Sequence, residues 1–164
     1  MVSTPCRQTA CLGGEKVDQR EKATTNKIQA NGTKKILVAD DEAHILHVVS
    51  MKLSNAGYEV ITAMDGKEAL ELCLTEAPDL LITDYQMPFL TGLELCKRLR
   101  REERTSRIPV LMLTARGFDI ESHEMTEAGI RDVLSKPFSP REILRKVEEI
   151  IGNDVPTARQ GVEY

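Results

Sequence analysis

Asp-Leu-Leu-Ile-Thr-Asp-Tyr-Gln-Met-Pro, residues 79–88, is the stretch around which this chain is organised. Its apolar run has the length of a buried β-strand and ends in Asp84, and the proline at position 88 cannot continue the strand. The sequence therefore predicts a carboxylate at the tip of a strand. Ligands of open α/β sheets bind outside the carboxyl ends of the strands, so polar residues at the other strand ends become candidates for the same site.

Apolar runs of similar length recur along the chain and alternate with helical patterns. The five predicted strands cover residues 35–39, 58–63, 79–84, 109–113 and 132–135. Each is followed by a segment with apolar residues at helical spacing. The fourth helix, predicted at about residues 119–128, is mostly polar, which predicts shallow docking and low local stability.

This alternation predicts an α/β fold, a doubly wound five-stranded parallel sheet with helices on both faces. Because parallel strands share a direction, all of their carboxyl ends lie at one edge of the sheet. That edge would carry an acidic pair, a further acid, a hydroxyl and a lysine. These residues are Asp40, Asp41, Asp84, Thr114 and Lys136.

The five side chains suit phosphoryl chemistry. Carboxylate oxygens of Asp84 and of Asp40 or Asp41 would bind Mg²⁺. A carboxylate such as Asp84 can attack a phosphoryl group, while Mg²⁺ and the ammonium of Lys136 neutralise the transferring oxygens. The hydroxyl of Thr114 would donate to a phosphate oxygen. Singly, each residue has a simpler role as a turn residue, a helix cap or a surface group, but their convergence on one edge favours a single site.

Composition excludes several classes of function. The 164 residues carry a net charge of −4, and the sequence contains no apolar run of membrane-spanning length. We therefore expect no direct nucleic-acid or membrane binding, and with no secretory signal at the N-terminus we expect a cytoplasmic protein. The four cysteines lack the spacing of a zinc site, and Cys73 and Cys96 are expected to be core residues.

The predicted domain covers residues 34–152. Residues 1–33 are polar and lack apolar periodicity, so we expect a disordered tail there. Residues 153–164 form a second, short polar tail. Too few residues follow position 152 for another core, which predicts a stand-alone domain.

A basic run occupies the third helix and the loop that follows it. It consists of Lys97, Arg98, Arg100, Arg101, Arg104 and Arg107. No aromatic residues are interleaved with these cations and the chain is acidic overall, which argues against a nucleic-acid interface. A solvated helix face is the favoured interpretation, and an acidic protein partner is the next alternative.

Four motifs lie at the predicted strand ends. They are Ile-Leu-Val-Ala-Asp-Asp-Glu at 36–42, Asp-Tyr-Gln-Met-Pro at 84–88 with Gly92 after it, Pro-Val-Leu-Met-Leu-Thr-Ala at 109–115, and Lys-Pro-Phe at 136–138. Together they resemble the receiver domain of response regulators in two-component signalling. The resemblance covers about residues 34–152.

The resemblance implies a flavodoxin-like strand order, 2-1-3-4-5, and a signalling function. Such a domain accepts a phosphoryl group from the phosphohistidine of a sensor histidine kinase, and a histidine phosphotransfer protein is its partner in a phosphorelay. It is not a metabolic enzyme, since it catalyses only its own phosphorylation and dephosphorylation. The signal then passes to a downstream protein target by a conformational shift, with the fourth helix as the candidate moving part, or the phosphoryl group is handed on in a phosphorelay.

The same resemblance assigns roles to individual residues. Asp84 would be the phosphoacceptor, and Thr114 and Lys136 would contact the phosphoryl group. Asp40 and Asp41 would hold Mg²⁺ together with Asp84. The backbone carbonyl of Gln86 would complete the metal site. The peptide bond between Lys136 and Pro137 would be cis.

Two features depart from the family pattern. Val133 stands where the family usually carries an aromatic residue that couples phosphorylation to the output surface. A degenerate receiver that acts as a phosphorylation-independent scaffold is therefore the alternative function. Gln86 and Arg116 occupy positions that modulate the lifetime of the phosphoryl group in this family, and the sequence sets no value for that lifetime.

Two further classes of protein are less compatible with the motifs. A haloacid-dehalogenase-type phosphatase carries two aspartates two residues apart after its first strand, whereas Asp40 and Asp41 are adjacent here. A nucleotide or flavin module needs a glycine-rich phosphate loop after that strand, and Asp-Asp-Glu occupies the position.

Overall fold

A computed structural model describes residues 32–115 and 120–153 of the chain. Most of the predicted N-terminal tail, the predicted tail after Asn153 and Arg116 lie outside the described residues. The proposed boundaries of the domain therefore stay a prediction. None of the helices in the described ranges is long and apolar enough to span a bilayer.

Strands and helices alternate along the described chain, as the sequence predicted. The strands are β1 (Lys35–Ala39), β2 (Glu59–Ala63), β3 (Leu80–Asp84), β4 (Val110–Thr114) and β5 (Ile130–Ser135). The helices are α1 (Ala43–Asn55), α2 (Gly66–Glu76), α3 (Gly92–Arg101), α4 (Ser122–Ala128) and α5 (Pro140–Asn153).

The strands form one parallel sheet in the order β2-β1-β3-β4-β5. This confirms the fold class and the strand order. The central strand β3 is buried along its whole length because helices cover both faces of the sheet. All five strands run in one direction, so their carboxyl ends lie at one edge, which we call the rim.

Alternate residues of each strand enter two apolar layers. In β1, Leu37 packs into a layer with residues of α2, α3 and α4, whereas Ile36 and Val38 pack into a layer with residues of α1 and α5. Cys73 and Cys96 belong to the first layer, as predicted, and burial raises the pKa of each thiol to about 12. Both are therefore packing residues with little thiolate character.

Several predicted helix boundaries hold. Asp65 accepts hydrogen bonds from the first-turn amides of α2, and Ser139 and Glu142 form a reciprocal cap at the start of α5. A second reciprocal cap, between Thr91 and Glu94 at the start of α3, was not predicted although its Thr-x-x-Glu signature is in the sequence. These caps supply partners for helix N–H groups that would otherwise lack them.

Two boundaries differ from the prediction by two residues or more, and several others differ by one residue. Helix α4 has only seven residues, because Gly129 adopts a left-handed conformation directly after Ala128 and the described helix begins at Ser122. Strand β5 begins at Ile130, two residues early, where its pairing with β4 is irregular. Helix α5 continues one residue past Gly152.

The prediction of a solvated face for the basic run is wrong for Arg100. The Nε of Arg100 donates to the carbonyl of Ala128 at 2.9 Å, and its terminal nitrogens donate to the carbonyls of Ser106 and Ile108. The side chain thus ties the end of α3 to the α3–β4 loop and to the last turn of α4. Gly129 makes room for it, because a Cβ there would lie 2.3 Å from the guanidinium.

Gly92 gives a test of how tightly α3 packs against the rim. A Cβ at this position would lie 2.2 Å from the backbone oxygen of Asp84. We predict that Gly92→Ala lowers the free energy of unfolding by about 1 to 3 kcal/mol, as overpacking does, measured by urea denaturation. Gly152→Ala is the control: a Cβ there meets nothing within 4 Å, so no loss is expected. Equal stability of the two variants would show that the loop shifts freely.

Candidate functional site

The rim collects four of the predicted side chains directly from strand ends. Asp84 and Thr114 are the last residues of β3 and β4, and Asp40 and Lys136 follow β1 and β5. Strand-like hydrogen bonds hold the positions beyond the sheet: the amide of Asp40 donates to Ala63 at 3.2 Å, and that of Lys136 donates to Thr114 at 2.7 Å. The backbone thus fixes where these side chains begin.

Three aspartates form an acidic cluster at the rim. Carboxylate oxygens of Asp40, Asp41 and Asp84 all lie within 4.8 Å of one another. Asp40 and Asp84 are buried, whereas Asp41 is exposed. One oxygen of Asp40 also accepts the amide of Glu42 at 2.9 Å, which fixes the orientation of that carboxylate. An all-oxygen cluster open on one side is the kind of site that Mg²⁺ occupies while keeping several waters.

Lys136 sits among these carboxylates. Its Nζ lies 2.9 Å from Asp40, 3.1 Å from Glu42 and 3.2 Å from Asp84. Burial by itself would lower the pKa of Lys136, but the hydrogen bond and charge of Asp40 and the charge of Asp84 outweigh it and raise the pKa above its ordinary value. The ammonium therefore stays charged at any physiological pH.

The surroundings of Asp84, in contrast, disfavour the charged form of its carboxyl group. Burial raises its pKa, the ammonium of Lys136 lowers it, and the charge of Asp40 raises it again, and the net pKa lies above the ordinary value. Ionised Asp84 is thus incompletely neutralised by one lysine. A divalent cation among the three aspartates would supply the missing charge, so the residues present fit the metal.

Thr114 provides independent evidence for a bound group. Its side chain is 1% exposed, and Oγ1 has no hydrogen-bond partner among the described residues. A buried hydroxyl without a partner costs about 1 to 3 kcal/mol, so such groups are rare unless a ligand completes them. A phosphoryl oxygen on Asp84 is an acceptor that this strand-end hydroxyl would satisfy.

The remaining predictions concern Gln86 and the proline after Lys136. Gln86 is exposed and lines a pocket of about 250 Å³ together with Asp41, Asp84 and Lys136. Its backbone carbonyl as a metal ligand stays a prediction. The bond between Lys136 and Pro137 is cis, as the resemblance implied. Glu42 was missed as a partner of Lys136, although its place in the Asp-Asp-Glu run was a usable signal.

The family model described as the response regulator receiver domain matches residues 36–148. The chain belongs to this family. The receiver is 45% identical over 118 residues to the alkaline phosphatase synthesis transcriptional regulatory protein PhoP of Bacillus subtilis. This match covers 72% of the chain and 48% of that protein. The chain spans about half the length of such curated relatives.

Solved receivers have the same architecture. The chemotaxis response regulator CheY4 of Vibrio cholerae is 36% identical with a TM-score of 0.67, over 72% of this chain and 98% of that one. The receiver domain of the sensor histidine kinase PA1611 from Pseudomonas aeruginosa, solved with magnesium coordinated in its active-site cleft, is 28% identical with a TM-score of 0.66. That match covers 73% of this chain and 98% of the solved one. The family match favours a receiver over the phosphatase and nucleotide-binding alternatives.

Thr114 gives a stability test of the buried hydroxyl. We predict that Thr114→Val raises the free energy of unfolding by about 1 kcal/mol, because it removes a buried polar group that has no partner. Thr105→Val is the matched control: Thr105 is fully buried but donates to the carbonyl of Leu99 at 2.8 Å. That variant should lose about 1 to 3 kcal/mol.

Both variants are measured by urea denaturation of the unphosphorylated chain. A loss of stability in Thr114→Val as large as that in Thr105→Val would mean that the Thr114 hydroxyl already has a partner in solution. The interpretation of Thr114 as a phosphoryl contact would then lose its structural basis.

Proposed function

We propose that this receiver accepts a phosphoryl group on Asp84 from the phosphohistidine of a histidine kinase or a histidine phosphotransfer protein. The observation that carries the proposal is the meeting of three complementary groups at one rim. Asp84 supplies a carboxylate oxygen, Lys136 lies 3.2 Å from it, and the buried hydroxyl of Thr114 lacks a partner among the described residues.

The reaction follows from these roles. An oxygen of Asp84 attacks phosphorus, the new P–O bond forms, and the P–N bond to the donor imidazole breaks with its electron pair returning to the ring nitrogen. Charge spreads over the three phosphoryl oxygens during transfer. The ammonium of Lys136 stabilises one oxygen and the hydroxyl of Thr114 donates to another. Both side chains start from strand ends that lie beside Asp84.

The metal requirement follows from charge. The rim holds four carboxylates, those of Asp40, Asp41, Glu42 and Asp84, against the single ammonium of Lys136. Bound Mg²⁺ would be held by Asp40, Asp41 and Asp84 and would neutralise phosphoryl oxygens. The magnesium in the related PA1611 receiver supports this assignment.

The signal would leave the receiver as a population shift. Thr114, on moving toward a phosphoryl oxygen, would pull the following loop and α4 with it. Helix α4 suits such movement because it has seven residues and only Ala128 is fully buried among them. We propose that the receiver lies in the cytoplasm and that its output is either this shift or onward phosphotransfer.

The first test is chemical. Incubation of the chain with acetyl phosphate and Mg²⁺, followed by intact-mass analysis, should give one phosphoryl adduct that is lost when the metal is chelated and absent in Asp84→Asn. Persistence of the adduct in Asp84→Asn would place the acceptor elsewhere. If neither acetyl phosphate nor a phosphorylated histidine kinase gives an adduct, the result would favour the phosphorylation-independent scaffold. Val133, in place of the usual aromatic residue, is the feature that suggested this alternative.

A protein donor must also dock beside Asp84, and the rim offers an apolar surface for this. A groove of about 450 Å³ runs from Lys136 along α1 and is lined by Ile45, Val48 and Phe138. Val48 is 43% exposed. Apolar side chains at the centre of an interface carry most of its binding energy. We infer that the donor protein packs here.

This surface is tested by comparing two donors. Val48→Glu should slow phosphotransfer from a phosphorylated histidine kinase about tenfold, or ~1.4 kcal/mol, because a charge would be buried in the interface. Transfer from acetyl phosphate should not change. Leu74→Glu is the matched control, since Leu74 is a 39% exposed helical residue on α2, away from the groove. Equal slowing in both variants, or slowing with acetyl phosphate, would contradict this docking surface.

A further inference from the structure

The part of the basic run from Arg100 to Arg107 spans the end of α3 and the loop before β4, so it lies at the amino ends of the strands, the edge of the sheet opposite the rim. Here a pocket of about 770 Å³ opens between the end of α3, the α3–β4 loop and the turn from α4 to β5. We call it the arginine pocket. Arg100, Arg107 and Arg131 line it, and they come from three different parts of the chain.

The positive charge of this pocket is not neutralised by the protein. Among the described residues, no carboxylate lies within 4.0 Å of a guanidinium nitrogen of Arg100, Arg107 or Arg131. The neighbouring acids Asp132 and Glu124 are paired with Lys146 and Lys97 instead. The chain as a whole has a net charge of −4, so this concentration of unpaired cations is a local feature of the arginine pocket.

Arg100 forms a fixed part of the wall. Its hydrogen bonds to the carbonyls of Ala128, Ser106 and Ile108 hold the guanidinium in place. Burial lowers the pKa of Arg100 and the charge of Arg131 lowers it further, so the two cations repel each other across the pocket. An anion placed between them would relieve that repulsion.

The guanidinium groups of Arg107 and Arg131 are positioned to bind a ligand. Arg107 and Arg131 are both exposed, and neither has a hydrogen-bond or ion-pair partner among the described residues. Guanidinium groups bind phosphate through two parallel N–H···O bonds and also stack on flat rings. The remaining wall is partly apolar, with Ile108, Pro109 and Met125. Cavities of about 300 to 1,000 Å³ accept ligands of nucleotide size.

We propose that the arginine pocket binds a phosphate-bearing small molecule of nucleotide size. The phosphate groups are held by Arg107 and Arg131 in the field of Arg100, and the rest of the molecule lies against the apolar wall. Met125 and Thr126 of α4 also line the pocket, so the ligand contacts the helix that the receiver mechanism moves. The binding itself does not depend on phosphorylation of Asp84.

The test uses the full chain in a chelating buffer at ~0.15 M salt, where long-range charge effects are screened and no metal can hold phosphate at the rim. Pyrophosphate and ADP are titrated by calorimetry and by backbone amide NMR. Saturable binding is expected, with shifts concentrated at residues 106–108 and 129–131. ADP should bind more tightly than pyrophosphate because its base and ribose reach the apolar wall.

Two double variants that remove the same amount of charge distinguish binding in the arginine pocket from general electrostatic attraction to the basic surface. Arg107→Gln with Arg131→Gln should weaken ADP binding at least tenfold, about 1.4 kcal/mol. The control is Arg101→Gln with Arg104→Gln, whose exposed side chains do not line the pocket, and it should change affinity by no more than about twofold.

Three outcomes would overturn the proposal. They are an absence of saturable binding, equal weakening in both double variants, and shifts confined to the rim around Lys136. Hexaglutamate is titrated in parallel. Tighter binding of that peptide than of ADP, lost in the pocket variant, would replace the small molecule by an acidic segment of a partner protein.

Discussion

The ammonium of Lys136 is the interaction on which the functional edge of this receiver depends. It is shared by Asp40, Glu42 and Asp84, and it is the one lysine that the structure places within 4 Å of the described acidic rim. A single positive charge cannot neutralise four carboxylates, so the rim favours further cations. Under the proposed function, the same imbalance means that an anionic phosphoryl group would need a metal to enter this acidic site.

The parallel sheet is what makes this arrangement available. Residues that are 44 and 52 positions apart, Asp40 with Asp84 and Asp84 with Lys136, meet because their strands end at one edge. The core beneath is buried on both faces of β3, which holds the strand end rigid. By contrast, α4 is short and shallowly docked, and Arg100 secures its last turn through backbone carbonyls. A buried strand end and a shallowly docked helix thus share one fold.

The strand-end residues were predictable because a strand has a simple signature, an apolar run with a sharp polar end, and parallel strands fix where those ends go. The strand order came only from the family resemblance. The clamp made by Arg100 could not be predicted, because helical periodicity assigns a face but does not reveal which loop carbonyls lie against it. The missing partner of Thr114 likewise depends on the packing around one atom. The cap of Thr91 and Glu94 was readable in the sequence and was overlooked.

In the proposed function, Asp84, Lys136 and Thr114 act on one phosphoryl group. The most direct measurement is a crystal structure of the chain with Mg²⁺ and beryllium fluoride, which mimics a phosphoryl group on a carboxylate. We expect beryllium bonded to an oxygen of Asp84, with fluorides about 3 Å or less from the Nζ of Lys136 and the Oγ1 of Thr114. Beryllium fluoride on another carboxylate, or a Thr114 hydroxyl still without a partner in the complex, would contradict it.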